Sequence, residues 1–237
     1  MAGKTTPADA AARGAWLART TAAGVRRPTT FHLYGREWDL LPGVFSPVHC
    51  VSTRFFTDSL PFPADGTFLE VGCGAGVTSV RAALAGTRVT ATDISAAAVE
   101  NTTMNVHRHG VADLVTVVHG DMFDGIRREE RFDVIFWNSP FIDPPEAMLP
   151  DVDERLRRAV FDPGYRAHAG FLSGARQWLT PSGRLLLGFS DLGDHTALDR
   201  LAGRVGYRKR QLRTSGRLVA GVEFQLLELV PADQAGQ

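Results

Sequence analysis

The chain has 237 residues, 44% of them apolar and 22% charged, with 26 basic side chains against 26 acidic ones. That is an ordinary globular composition, and the length suits one α/β domain with a small addition. Balanced charge gives no large single-sign field, so composition does not imply long-range capture of nucleic acid; a local basic patch stays open.

The two cysteines, Cys50 and Cys73, lie far apart. They form neither a disulfide framework nor a zinc spacing, and a reducing cytoplasm is the expected compartment. No cluster of His, Cys and carboxylates has ligand spacing, so no metal is expected. The N-terminus lacks the apolar core of a signal peptide, and no uncharged apolar stretch approaches ~18 residues, so no membrane span is expected. Composition carries no signal for oligomeric state.

Residues 8–24 are Ala-rich with Trp16 and Leu17 and predict a short helix, ended by Pro28. Alternating apolar residues from Phe31 to Leu41 on either side of Gly35-Arg36 predict a β-hairpin. Pro42 and Gly43 close it, and Val44 to Thr53 reads as a loop leading into a helix. Residues 1–53 are thus expected to be a helix-and-hairpin cap, 54–230 the main domain, and 231–237 a frayed tail.

From Thr67 onward strands and helices alternate. Phe68–Val71, Arg88–Thr92, Leu114–Val118, Phe132–Trp137 and Arg184–Phe189 read as strands, with Glu223–Val230 a late one. Val77–Leu84, a segment N-capped by Ser95 and ending at Gly110, and Phe171–Trp178 read as helices. This alternation predicts an α/β fold, a doubly wound, mostly parallel sheet with helices on both faces. Ligands of such sheets sit outside the carboxyl ends of the strands, where every motif below falls.

The first such end reads Glu70-Val-Gly72-Cys73-Gly74-Ala-Gly76. Glycines let the backbone approach a ligand closely. The dinucleotide fingerprint requires glycine at position 77, which is Val77, and no GK[ST] follows. This argues against a nicotinamide oxidoreductase and against a phosphate loop. An acidic residue before the glycines would repel a pyrophosphate and suits a cation, an α-amino group next to a sulfonium. Asp93-Ile94 ends the second strand, where a carboxylate can accept ribose hydroxyls. Asp121-Met122 follows the third, where a carboxylate and a backbone N–H can meet adenine. Cys73 reads as a small residue between acids, which would raise its thiol pKa.

The fourth strand ends in Asn138-Ser139-Pro140-Phe141. An attacking nitrogen must point its lone pair at the methyl carbon. The Asn138 oxygen and a neighbouring carbonyl can accept its hydrogens, and Phe141 can stack on a planar acceptor.

Glu70 to Gly76, Asp93 and Asp121-Met122, in this order, resemble the motifs of class I (Rossmann-like) S-adenosylmethionine-dependent methyltransferases. Asn138 to Phe141 resembles the [N/D]PP[Y/F] motif of members that methylate nitrogen. It departs at Ser139, where the family has proline; Pro140 keeps Ser139 extended, but the loop is expected to be less rigid and gains a hydroxyl donor. The segment Phe31 to Thr53, Ala98 with Asn101 and Asn105, and Asp162-Pro163-Gly164 are similar to release-factor glutamine methyltransferases and the "methyltransferase small" superfamily, which includes RNA N-methyltransferases. The resemblance covers roughly residues 45–230. It implies a seven-stranded sheet and S-adenosylmethionine as cofactor, leaving as S-adenosylhomocysteine. It implies cofactor contacts from Glu70, Gly72, Cys73, Gly74, Gly76, Asp93, Ile94, Asp121, Met122 and Asn138, and a catalytic turn of Asn138, Ser139, Pro140 and Phe141. Only residues 1–30 precede the hairpin, so the helical domain that recognises release factors has no expected counterpart, and that substrate is not carried over.

The expected acceptor is therefore a small molecule or peptide, with RNA or a protein glutamine as the alternative and a non-catalytic cofactor-binding module as a further one. Phe141, His49, Asp143 and Glu146 are the candidate acceptor contacts, and His32 also lies near the expected entrance. The acidic segment 142–155 reads either as a lid selecting a cationic acceptor or as a solvated loop. The basic stretch Arg204 to Arg217 reads either as an RNA contact or as the exposed side of a strand and its loop.

Overall fold

Short apolar runs with period-two alternation build the sheet. Phe68, Val134 and Leu186 enter one buried cluster, while Leu69, Ile135, Leu185 and Leu187 enter another on the opposite face. In the computed structural model, which describes residues 6–217 and 221–234, these runs form a seven-stranded sheet. An N-terminal helix α1 (Pro7–Gly24) and a hairpin of β1 (Thr29–Leu33) and β2 (Arg36–Leu40) precede it.

The sheet comprises β3 (Thr67–Val71), β4 (Arg88–Asp93), β5 (Val115–His119), β6 (Phe132–Asn138), β7 (Leu179–Ser190), β8 (Tyr207–Arg217) and β9 (Glu223–Pro231) in the order β5-β4-β3-β6-β7-β9-β8. The first five are parallel; β9 runs antiparallel between β7 and β8. Helices α2 (Ser52–Ser59), α3 (Val77–Leu84) and α4 (Ala96–Arg108) share a core cluster with one face. Helices α6 (Arg166–Gly174) and α7 (His195–Arg204) share one with the other. A short α5 (Glu154–Val160) packs against α1 through Ala10, Ala15, Ala18, Val160 and Phe161. The chain reverses direction across the sheet between β3 and β6, which places the binding crevice at their carboxyl ends.

Three expectations are corrected in detail. The hairpin turns at Tyr34-Gly35, not Gly35-Arg36, with φ of 55° and 67°, the two left-handed residues of a type I′ turn. The acidic segment 142–155 is not one loop: it contains a 3-10 turn, Glu146–Met148, and the start of α5, whose first turn Asp153 caps by accepting the Arg155 N–H at 2.9 Å. The sixth helix starts at Arg166 rather than Phe171, because Asp162 accepts the N–H groups of Ala167 and His168 at 3.0 and 2.9 Å. In the tail, the Ala232 N–H donates to Gly206 O at 2.8 Å; residues 235–237 lie outside the described residues. No helix among the described residues is long and apolar enough to cross a membrane.

Asn101 and Asn105, fully buried on α4, fasten the hairpin to the domain. Asn101 accepts the Leu41 N–H at 2.8 Å and donates to Asp39 O at 2.8 Å. Asn105 accepts the Asp39 N–H at 2.7 Å and donates to Asp39 O and Ala75 O at 2.9 and 2.8 Å. Their amides thus complete the open edge of β2, which an apolar side chain could not do. Asn105→Ala is expected to cost about 2–4 kcal/mol, read from urea denaturation, because it leaves buried backbone groups unpaired. A loss below about 0.5 kcal/mol, the range of a surface change, would contradict that role.

Candidate active site

After β3 the backbone turns through Gly72, Gly74 and Gly76, with φ of 68°, 56° and 75°. Side chains rarely adopt this conformation. At Gly76, which opens α3, a Cβ would also lie 2.8 Å from Thr102 Cγ2 on α4. Glu70 is buried and accepts the Ser79 hydroxyl at 2.5 Å. Burial pushes its carboxyl up to about 7, the Asp93 charge adds to this, and hydrogen bonds from Ser79 and Thr78 oppose it.

Asp93 at the end of β4 accepts the Gly74 N–H at 3.0 Å and the Ser95 N–H at 2.9 Å. Burial raises its pKa against those two hydrogen bonds. The Asp93 carboxylate thus clamps the glycine turn while a remaining lone pair on each oxygen stays available. Ile94 beside it is 43% exposed. After β5, Met122 holds φ 52° in the left-handed region, with its carbonyl bound by the Thr92 hydroxyl at 2.8 Å. Asp121 is exposed and its side chain has no hydrogen-bond partner among the described residues. Cys73 is buried and its thiol is held neutral by burial first, then by Asp93 and Glu70.

Asn138 ends β6 half-buried, its amide without a partner among the described residues. The following turn is held on the other side of the sheet edge. Ser139 Oγ lies 2.8 Å from Gly188 O and 2.9 Å from His168 Nε2, and His168 Nδ1 lies 2.7 Å from Asp162 Oδ2. All three side chains are buried. Burial lowers the His168 pKa, with Asp162 opposing, so the imidazole is neutral. The Ser139 hydroxyl donates to Gly188 O at 2.8 Å, the Ser139 N–H reaches the same carbonyl at 3.3 Å, and the His168 ring bridges the Ser139 hydroxyl oxygen and the Asp162 carboxylate. The Tyr165 hydroxyl donates to Phe141 O at 2.8 Å. The expected looseness at Ser139 is thus replaced by a side-chain clamp: its hydroxyl is engaged rather than free.

A cavity of about 1280 Å³ joins these parts. Ligand pockets usually measure roughly 300–1,000 Å³, so there is room for a cofactor and an acceptor together. Glu70, Gly72, Cys73, Gly74, Asp93, Ile94, Asp121, Met122, Asn138, Ser139, Pro140, Phe141 and His49 all line it; Gly76 lies behind them at the start of α3. Asp143 does not line it: its carboxylate accepts the Gly164 N–H at 2.7 Å. The Glu146 side chain lies outside the described residues. His32 is exposed on β1, away from the lining. The acceptor end carries arginines of α1, α5 and α6 together with Glu154 of the acidic segment and Asp162. The arginines, Tyr165 and His168 escaped the sequence reading; the only pointer was Asp162-Pro163-Gly164 before a helix.

The cradle fits S-adenosylmethionine: a glycine turn beside an acid for the methionyl end, Asp93 for the ribose, and Ile94 with unpartnered Asp121 for adenine. Comparison with known proteins agrees. The model of the family described as "Methyltransferase small domain" matches residues 38–212. A release factor glutamine methyltransferase of Bordetella pertussis is 32% identical over 93% of this chain and 87% of its own. A bifunctional methyltransferase of Rickettsia typhi is 31% identical over 52% of this chain, which spans only 25% of that relative's length. A solved T. thermophilus 16S rRNA N2 methyltransferase in complex with AdoMet and guanosine shares the fold, with a TM-score of 0.59 and 20% identity over 86% of this chain and 50% of its own. The chain belongs to the methyltransferase small domain family and is a class I S-adenosylmethionine-dependent methyltransferase.

Proposed function

We propose that the enzyme methylates an amino, amide or guanidino nitrogen of a small molecule or peptide in the cytoplasm. The observation that carries this reading is the half-buried, unpartnered Asn138 amide lining the same cavity as the cofactor cradle. The bound cofactor supplies an electrophilic methyl carbon on a sulfonium. Asn138 Oδ1 and the Ser139 carbonyl accept the hydrogens of the acceptor nitrogen and so aim its lone pair. Phe141 offers a face for a planar group. No general base is required at the moment of transfer, because the proton leaves afterwards.

The second reading, an RNA base or a protein glutamine, draws support from the names of the relatives above. Its sequence candidate for docking is weak. No described side chain of the stretch 204–217 lines the cavity, Arg210 pairs with Glu228 and Lys209 with Asp199, and β8 lies at the far edge of the sheet. The test is methyl transfer from labelled S-adenosylmethionine in a lysate of the source cells, split into small-molecule, protein and RNA fractions. Label in the small-molecule fraction supports the first reading; label confined to macromolecules contradicts it.

Glu70 predicts a pH dependence of cofactor binding. The cofactor's α-amino cation favours the ionised carboxylate, and Glu70 takes up a proton below about 7. Affinity for S-adenosylhomocysteine is therefore expected to fall as pH drops below that value, approaching tenfold per pH unit by proton linkage. Calorimetry from pH 5.5 to 8 checks it. Glu70→Gln should flatten the profile; an unchanged slope would place the titrating group elsewhere.

A further inference from the structure

The acceptor end of the cavity has an excess of positive charge among the described residues. Arg13 on α1, Arg157 on α5 and Arg166 at the start of α6 line it, and none forms an ion pair among the described residues. Neighbouring arginines differ: Arg155 pairs with Asp153 and Arg158 with Glu154 at 2.7 Å. The nearby acids are likewise engaged. Asp162 serves α6 and His168, and Asp143 caps Gly164.

Arg13 and Arg157 are half-buried and sit on helices that touch. The adjacent Gly14 meets Phe161 so closely that a Cβ would lie 2.6 Å from its ring, which fixes α1 over this end of the cavity. A guanidinium presents five N–H donors in a planar fork suited to carboxylate or phosphate. Arg157 feels Asp153 and Glu154 only at a distance, both acids being paired with other arginines, so holding two such forks half-buried without a direct acid partner is costly unless a ligand completes them.

We propose that the acceptor is a small anion, its carboxylate or phosphate held by Arg13, Arg157 and Arg166 while its nitrogen lies at Asn138. This rests on the N-methyltransferase reading. A small molecule is favoured over a polyanion because these arginines line the cavity itself, Arg13 and Arg157 half-buried and Arg166 exposed, whereas the basic edge strand β8 lies outside it.

Two measurements test it. In the first, enzyme saturated with S-adenosylhomocysteine is titrated with citrate and with inorganic phosphate at constant ionic strength. Saturable binding of at least one is expected, weakened about tenfold or more in Arg13→Gln/Arg157→Gln, the size of a lost charge-assisted contact. Affinity for S-adenosylhomocysteine should be unchanged, which also reports that the variant is folded. No saturable binding of either anion, or equal binding by the variant, overturns the proposal without any need for turnover.

In the second, the labelled small-molecule product is passed over anion and cation exchangers. Retention on the anion exchanger, with a raised KM and unchanged kcat in Arg157→Gln, supports it. Release of that product by phosphatase assigns phosphate; resistance assigns carboxylate. A labelled product held only by the cation exchanger overturns the anion proposal while leaving the N-methyltransferase reading intact. Label found only in RNA overturns the small acceptor itself.

Discussion

Asn138→Ala is expected to lower kcat by about 10²–10³-fold, the scale set by removing one preorganised hydrogen-bonding group at a reacting centre. Asn138 is the one amide of the Asn138–Phe141 turn, half-buried at the end of β6 and without a partner among the described residues, so its loss should disturb little of the fold. With Glu70, Asp93 and Asp121 proposed to hold the cofactor from other strand ends, affinity for S-adenosylhomocysteine should change less than threefold, about 0.65 kcal/mol. Asp93→Ala should show the opposite pattern. It removes the ribose acceptor together with the clamp on the Gly74 and Ser95 N–H groups, and cofactor affinity should drop. Steady-state kinetics and calorimetry on the two variants separate the roles. Normal turnover by Asn138→Ala would show that the acceptor nitrogen is oriented by something else.

His168→Leu is expected to destabilise the protein by about 3 kcal/mol, because it strips a buried carboxylate and a buried hydroxyl of their shared partner. The same change should alter the acid sensitivity of the fold. The native imidazole is kept neutral by burial, so its pKa lies below the unfolded value of about 6.5. Below that value the unfolded chain binds the extra proton, and stability contributed above it is lost as pH falls toward the folded pKa. In His168→Leu this part of the slope should vanish. The double variant Ser139→Ala/His168→Leu should cost less than the sum of the two single changes, since the hydroxyl and the ring are each other's partner. Equal stability of wild type and His168→Leu, with the same acid slope, would contradict the clamp.

The cofactor half of the site was legible in the sequence because each part is local. Glycines that need left-handed φ, and an acid near the carboxyl end of a strand, carry their chemistry in three or four consecutive residues. The Asn138 turn was legible for the same reason. What escaped were contacts between distant segments. Ser139 read as a departure from a proline motif, and only the fold brings His168, 29 positions on, within 2.9 Å of it. Asn101 and Asn105 stood out only by resemblance; their work of closing the β2 edge needs the hairpin in place. The charge pattern of the substrate side was not legible. Asp143, Glu146, Asp151, Asp153 and Glu154 suggested an acidic lid or a solvated loop. The helix that follows offers Arg157 to the cavity, while Asp143 caps Gly164 and Asp153 and Glu154 neutralise Arg155 and Arg158. Charge counted along a chain does not say which face of a short helix meets the cavity.

The most direct test is to locate the transferred methyl group. The product formed from [13C-methyl]-S-adenosylmethionine and the accepting lysate fraction would be analysed by NMR for wild type and Asn138→Ala. A methyl carbon bonded to nitrogen, formed by wild type and nearly absent with the variant, is the predicted result. A methyl on oxygen, sulfur or carbon, or undiminished N-methyl product from Asn138→Ala, would contradict it.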